Sequence, residues 1–91
     1  MWRWMKRLFG NYDTEYEYWV RLSDINISPQ FAVTRIGRDK YKSKWKFYRK
    51  HGYCESKIIL NKDFLLTDGY SSYKIYRAAE GLDAKVPVYF E

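Results

Sequence analysis

The chain has 91 residues, room for one small domain around one hydrophobic core, and its 46% hydrophobic and 31% charged content describes a folding sequence rather than a disordered one. Lys and Arg number 17 against 11 Asp and Glu, for a formal net charge of +6 and a pI near 9.4. A single Cys excludes an internal disulfide, and one Cys with one His excludes a four-ligand zinc site of thiolates and imidazoles. No apolar run reaches the roughly 18 to 20 residues that a membrane span needs.

The segment from Met1 to Phe9 carries Trp2, Trp4, Met5, Leu8 and Phe9 with Arg3, Lys6 and Arg7 between them. At helical spacing Met5, Leu8 and Phe9 share a face, and Gly10-Asn11 is a helix stop, so a short leading helix is expected. The apolar stretch of roughly 7 to 15 residues that a signal peptide needs is missing, so the reading is cytoplasmic, not secreted. Trp2 and Trp4 are candidates for covering the sheet or docking a partner protein. A membrane surface is disfavoured, because so short a segment buries little area and Trp at position 2 excludes myristoylation.

From Glu15 to Leu22 the pattern has period two, with Tyr16, Tyr18, Val20 and Leu22 opposite Glu15, Glu17, Trp19 and Arg21, which predicts a half-buried strand. Turn chemistry follows through Ser23-Asp24 and Asn26 to Pro29. A second strand is expected over Phe31 to Ile36. In Lys40 to Phe47 every even position is Lys, and the odd ones are Tyr41, Ser43, Trp45 and Phe47. Read as a strand, this gives a lysine face opposite an aromatic one, with Trp45 and Phe47 as core anchors. Arg49 to Gly52 then forms a hairpin tip, and Tyr53 to Leu60 returns as a fourth strand.

Phe64-Leu65-Leu66 is ambiguous between strand and buried loop, and Thr67-Asp68-Gly69 reads as a turn. Ser71 or Ser72 can cap a helix over Tyr73 to Glu80 that ends at Gly81, with Ile75, Tyr76 and Ala79 as its apolar stripe. Val86 to Phe90 is expected at a sheet edge because Pro87 cannot donate to a ladder. The expected fold is a single α+β domain: an antiparallel sheet of four or five strands with one packed helix in the C-terminal half.

Eight basic residues, Arg35, Arg38, Lys40, Lys42, Lys44, Lys46, Arg49 and Lys50, crowd one stretch against a single acid, Asp39. Like charges so close repel one another, and an arriving polyanion relieves that repulsion with release of counterions. Tyr41, Tyr48 and Tyr53 are candidates for stacking on bases beside the basic stripe. Two blander readings stand beside this one: lysines that only solvate an edge strand, or lysines paired with Glu15 and Glu17. No RNA-binding or zinc-finger motif and no helix-turn-helix pattern accompanies the cluster.

His51 and Cys54 carry no recognisable nucleophile signature, and no catalytic residue, metal or other cofactor is expected. The expected function is therefore a non-enzymatic nucleic-acid-binding module. RNA or single strands are preferred, because Tyr-rich strands resemble a stacking platform and no helix suited to the major groove is expected. A protein-binding inhibitor of a host or defence enzyme is the alternative, and a small metal-independent ribonuclease the third reading. In style, though not in any motif, so compact a basic chain is similar to accessory proteins of phages and mobile elements.

Overall fold

The computed structural model describes residues 16–33 and 35–91. In chain order the elements are β1 (Tyr18–Arg21), a 3-10 turn (Leu22–Asp24), α1 (Pro29–Ala32), α2 (Arg38–His51), β2 (Ile58–Leu60), β3 (Leu66–Asp68), α3 (Tyr70–Glu80) and β4 (Lys85–Phe90). The fold is α+β, with four strands and a packed helix in the C-terminal half, as the sequence leads one to expect. The sheet order is β1-β4-β2-β3. It is mixed rather than wholly antiparallel, because β2 and β4 run parallel with Ile58, Ile59 and Leu60 opposite Val88, Tyr89 and Phe90. The expected leading helix, with Trp2 and Trp4, lies outside the described residues.

Period-two burial holds where strands form. Val86, Val88 and Phe90 of β4 are buried, as are Ile58 and Leu60 of β2, while the alternate positions face the other side. β4 lies inside the sheet, not at its edge, so the edge assignment from Pro87 is wrong. Pro87 pairs with Trp19 of β1, and the ladder to β2 begins only at Val88, so β2 asks no hydrogen bond of the proline. Between β2 and β3 the side-chain oxygen of Asn61 accepts from the N–H groups of Asp63 (2.8 Å) and Leu65 (3.0 Å) and fixes the turn.

The largest departure is at Lys40 to Phe47. This stretch lies within α2, with no strand among its residues. Wound at about 100° per residue, Tyr41, Trp45 and Tyr48 fall at i, i+4 and i+7 within an arc of about 60°. All three pack against the buried core. The helical solution therefore seats three rings on the body, whereas a strand would separate Tyr48 from Tyr41 and Trp45. The ends agree with it: Asp39 sits in the first turn, Arg49, Lys50 and His51 in the last, and Gly52 closes the helix at φ 80°. The supposed hairpin tip is this C-terminal cap.

Smaller corrections follow the same logic. No strand forms among the described residues of Phe31 to Ile36; Ser28 caps α1 by accepting from the Phe31 N–H, and Pro29 occupies the first turn. Only the end of Tyr53 to Leu60 pairs as a strand, and Leu66–Asp68 is β3, so Thr67 and Asp68 belong to a strand and not to a turn. The α3 helix starts three residues earlier than expected, at Tyr70. Its N-cap is Gly69, so neither Ser71 nor Ser72 takes that role. Ser72, Tyr73, Ile75 and Tyr76 form its buried face, and Ala79 is exposed. Of the two expected anchors in α2, Trp45 is half-buried against the core and Phe47 stands outside the core cluster.

Gly69 has the closest surroundings of the described glycines. Its φ is 86°, and a Cβ added there would lie 2.3 Å from the Lys57 carbonyl oxygen, whereas a Cβ at Gly52 would meet nothing within 4 Å. Gly69→Ala is expected to cost about 3 kcal/mol, the sum of left-handed strain and a backbone overlap that cannot rotate away. Gly52→Ala is expected to cost about 1 kcal/mol from strain alone. Denaturant melts of the two variants check the ratio.

Candidate nucleic-acid interface

The basic cluster resolves into three groups once α2 is a helix. Arg38, Lys42, Lys46 and Arg49 fall within an arc of about 80° and make a continuous ridge. All four are exposed. Lys40 and Lys50 are also exposed, on other sides of the helix, and Arg35 is exposed in the segment that leads into it. Lys44 stands apart: it is half-buried, and its Nζ donates to Ser56 Oγ. Its charge belongs to the join between α2 and the α2–β2 connection, not to the ridge.

The ridge cations make no ion pair among the described residues. Glu17 pairs with neither Lys42 nor Lys44, and Glu15 lies outside the described residues. Arg49 lies 5.4 Å from the centroid of the Trp45 ring, a cation–π contact that holds the guanidinium along the helix surface. Arg49 and Lys50 sit where the helix dipole favours positive charge, but Arg38, Lys40 and Lys42 gather toward the end where it disfavours it. Helix chemistry favours the first pair, and for the other three the compensating charge on the helix is Asp39 in the first turn.

The three tyrosines separate as well. Tyr41 and Tyr48 pack against the core, and the Tyr48 hydroxyl donates to Glu80 Oε2 at 2.7 Å, which ties α2 to α3. Lys74 of α3 lies 5.5 Å from the Tyr41 ring centroid. Tyr53 alone of the three is open, at 54% exposure. Around it the structure brings together two rings that the sequence pattern did not single out for this role, Phe47 and His51. Their spacing of four residues was the available signal, and the strand reading concealed it.

Cys54 is buried. Its N–H donates to the Tyr76 hydroxyl at 3.0 Å, and its thiol contacts the Ser72 carbonyl oxygen at 3.8 Å. Burial pushes the Cys54 thiol from 9.0 up to about 11, the direction opposite to that of an activated nucleophile. Burial likewise raises Tyr76 to about 12, while the hydrogen bond to Glu80, assisted by burial, raises Tyr48 to about 12. No group of three or more His, Cys, Asp or Glu placed to hold a metal occurs among the described residues. No helix among them is long and apolar enough to cross a membrane.

No protein-family model matches the chain, and no curated protein does. Two solved structures of the N-domain of a pNOB8-like ParB protein share its fold, with TM-scores of 0.63 and 0.61 at 17% and 18% sequence identity, each over 84% of this chain. This chain spans only 30% and 28% of the length of those two chains. At that identity the likeness is one of fold.

The raised groups set an alkaline limit on stability. A group whose folded pKa lies above its unfolded value stabilises fully below the unfolded value and loses that contribution as pH rises through the folded one. Melting temperature is expected to begin falling near pH 9 through Cys54, and to fall further between about pH 10 and 12 as Tyr48 and Tyr76 contribute. Cys54→Ala removes the earlier part of the decline and leaves the later part. Thermal melts across pH 8 to about 12 read both.

Proposed function

We propose that this chain is a non-enzymatic module that binds nucleic acid through the cationic ridge of α2, on a fold shared with the N-domain of a pNOB8-like ParB protein. The observation that carries the reading is the ridge itself: four exposed cations in one row, with no ion pair among the described residues. From Arg38 to Arg49 the row runs about 16 Å, an axial length of duplex over which one strand carries about five phosphates. The row has the form of a phosphate backbone, a line of regularly spaced charge.

The two sequence grounds for preferring RNA or single strands no longer apply. The lysine segment is not a stacking strand, and the chain does present an exposed basic helix. Phosphate contacts of this kind position a nucleic acid without reading its sequence, so the ridge by itself supports affinity for DNA and RNA alike. The acid on α2, Asp39, lies in the first turn and lines one groove with Lys42, Lys46 and Arg49, so the ridge carries four cations against one acid.

The test is a salt titration. Binding of wild-type protein to a mixed-sequence duplex is expected to fall linearly on a log–log plot against salt, with a slope near −0.9 for each phosphate contacted (about −3 to −4 for the full ridge). Changing Arg38, Lys42, Lys46 and Arg49 together to Gln should abolish most of that slope and leave the melting temperature close to wild type, since all four are exposed. Full affinity and slope in the fourfold variant would sink the proposal. Equal binding of polyglutamate and duplex would replace nucleic acid with an acidic protein partner.

A further inference from the structure

We infer that Phe47, His51 and Tyr53 form a platform on which an unpaired nucleobase stacks, an inference that rests on the nucleic-acid reading of the α2 ridge. Gly52, at φ 80°, ends α2 and turns the chain back so that Tyr53 returns onto the helix it has just left. Phe47 and His51, one turn apart, have ring centroids 4.2 Å apart. The Tyr53 centroid is 5.6 Å from that of Phe47 and 5.8 Å from that of His51. Three rings therefore meet at one end of the helix.

The core does not account for this cluster. Tyr41, Trp45 and Tyr48 pack on the core; Phe47 does not, His51 is exposed, and Tyr53 is 54% exposed. Phe47 is half-buried beside the other two rings at the helix end, and Tyr53, the open ring, is of a type enriched where proteins make their strongest contacts.

Charge identifies the occupant. Phe47 lies about 100° around α2 from Lys46, and Lys50 sits between them. A strand whose phosphates follow the ridge thus sends a base across Lys50 toward the rings. On the other side of Tyr53 the groove carries Glu17 and Glu55, and its Lys57 is turned over the Tyr89 ring at 4.7 Å. Phosphates are repelled from that side and directed to α2. In a duplex the bases are stacked and paired inside, so only an unpaired base reaches the platform. Stacking tolerates any base, which makes the site selective for strandedness and not for sequence.

The test uses a ten-nucleotide single strand with one central 2-aminopurine, made as DNA and as RNA, and a blunt duplex carrying the same base. Wild-type protein is expected to quench the fluorescence of both single strands and not that of the duplex. Tyr53→Leu, which keeps bulk and loses the ring, should abolish the quench and weaken single-strand binding by about 5- to 150-fold, the range of one base–ring stack. Phe47→Leu should act in the same direction, and thermal melts confirm that both variants fold. Duplex affinity and the salt slope should stay at wild-type values. Quenching of only one of the two single strands assigns the platform to DNA or to RNA and supports it. If single-strand affinity survives Tyr53→Leu while the fourfold ridge variant loses binding, the platform is wrong and the ridge stands. Equal losses on single strands and duplex would mean that the rings only finish the helix, which also overturns the platform. If wild-type protein binds neither form, ridge and platform fall together.

Discussion

The hydroxyl of Tyr76 holds the position on which the basic face depends. It accepts the N–H of Cys54, while its neighbour on α3, Ser72, donates to the carbonyl oxygen of Ser56 at 2.6 Å. Each of these bonds satisfies a backbone group of the α2–β2 connection that would cost about 1 to 3 kcal/mol if left buried and unpaired. The connection is therefore fixed to the face of α3, and α2 leaves it at a set angle. This matters because α2 has no fully buried residue of its own. Its seat consists of three half-buried rings, the Tyr48–Glu80 bond, the Lys44–Ser56 bond and the pinned connection behind them.

A helix held in this way can carry more charge than it could support alone. Lysine and arginine at four-residue spacing repel one another, and each such pair weakens an isolated helix by a few tenths of a kcal/mol. Arg38 adds an unfavourable interaction with the positive end of the dipole. Packing of Tyr41, Trp45 and Tyr48 offsets these terms, and the outward side is left free to concentrate positive potential. The division of labour is by face: rings inward, cations outward, and Lys44 at the border between them.

The sequence made part of this legible. Alternation over Glu15 to Leu22 identified β1, where half-buried and exposed residues do alternate through Tyr18–Arg21, and Val86 to Phe90 is a strand as expected, though an inner one. Gly81 marked the end of α3 correctly. The alternation of Lys40 to Phe47 misled for a physical reason: lysine is as much at home on a helix as on a strand, so its spacing carries no information about burial. The informative residues were the rings, and Tyr41, Trp45 and Tyr48 fit the helical period only if Tyr48 is read with them. Gly69 could not be recognised as a cap, since its requirement comes from the Lys57 carbonyl oxygen, which only the fold brings close. The basic residues were identified as a group by composition, but their sorting into ridge, border and outlying positions needed the helix.

The interior position of β4 constrains how the chain comes to be folded. Its partners on either side, β1 and β2, lie 64 or more and 30 residues earlier in the chain, as the pairings Arg21 with Lys85 and Ile58 with Val88 show. Until Lys85–Phe90 has left the ribosome, β1 has no neighbour and the β2–β3 pair has one open side. Such distant pairings close slowly and leave apolar strand surface uncovered during synthesis. Assembly of the sheet thus waits for β4, and a nascent chain released before that strand emerges would expose Ile58, Leu60 and the rings of α2 to whatever chaperone or protease is nearby.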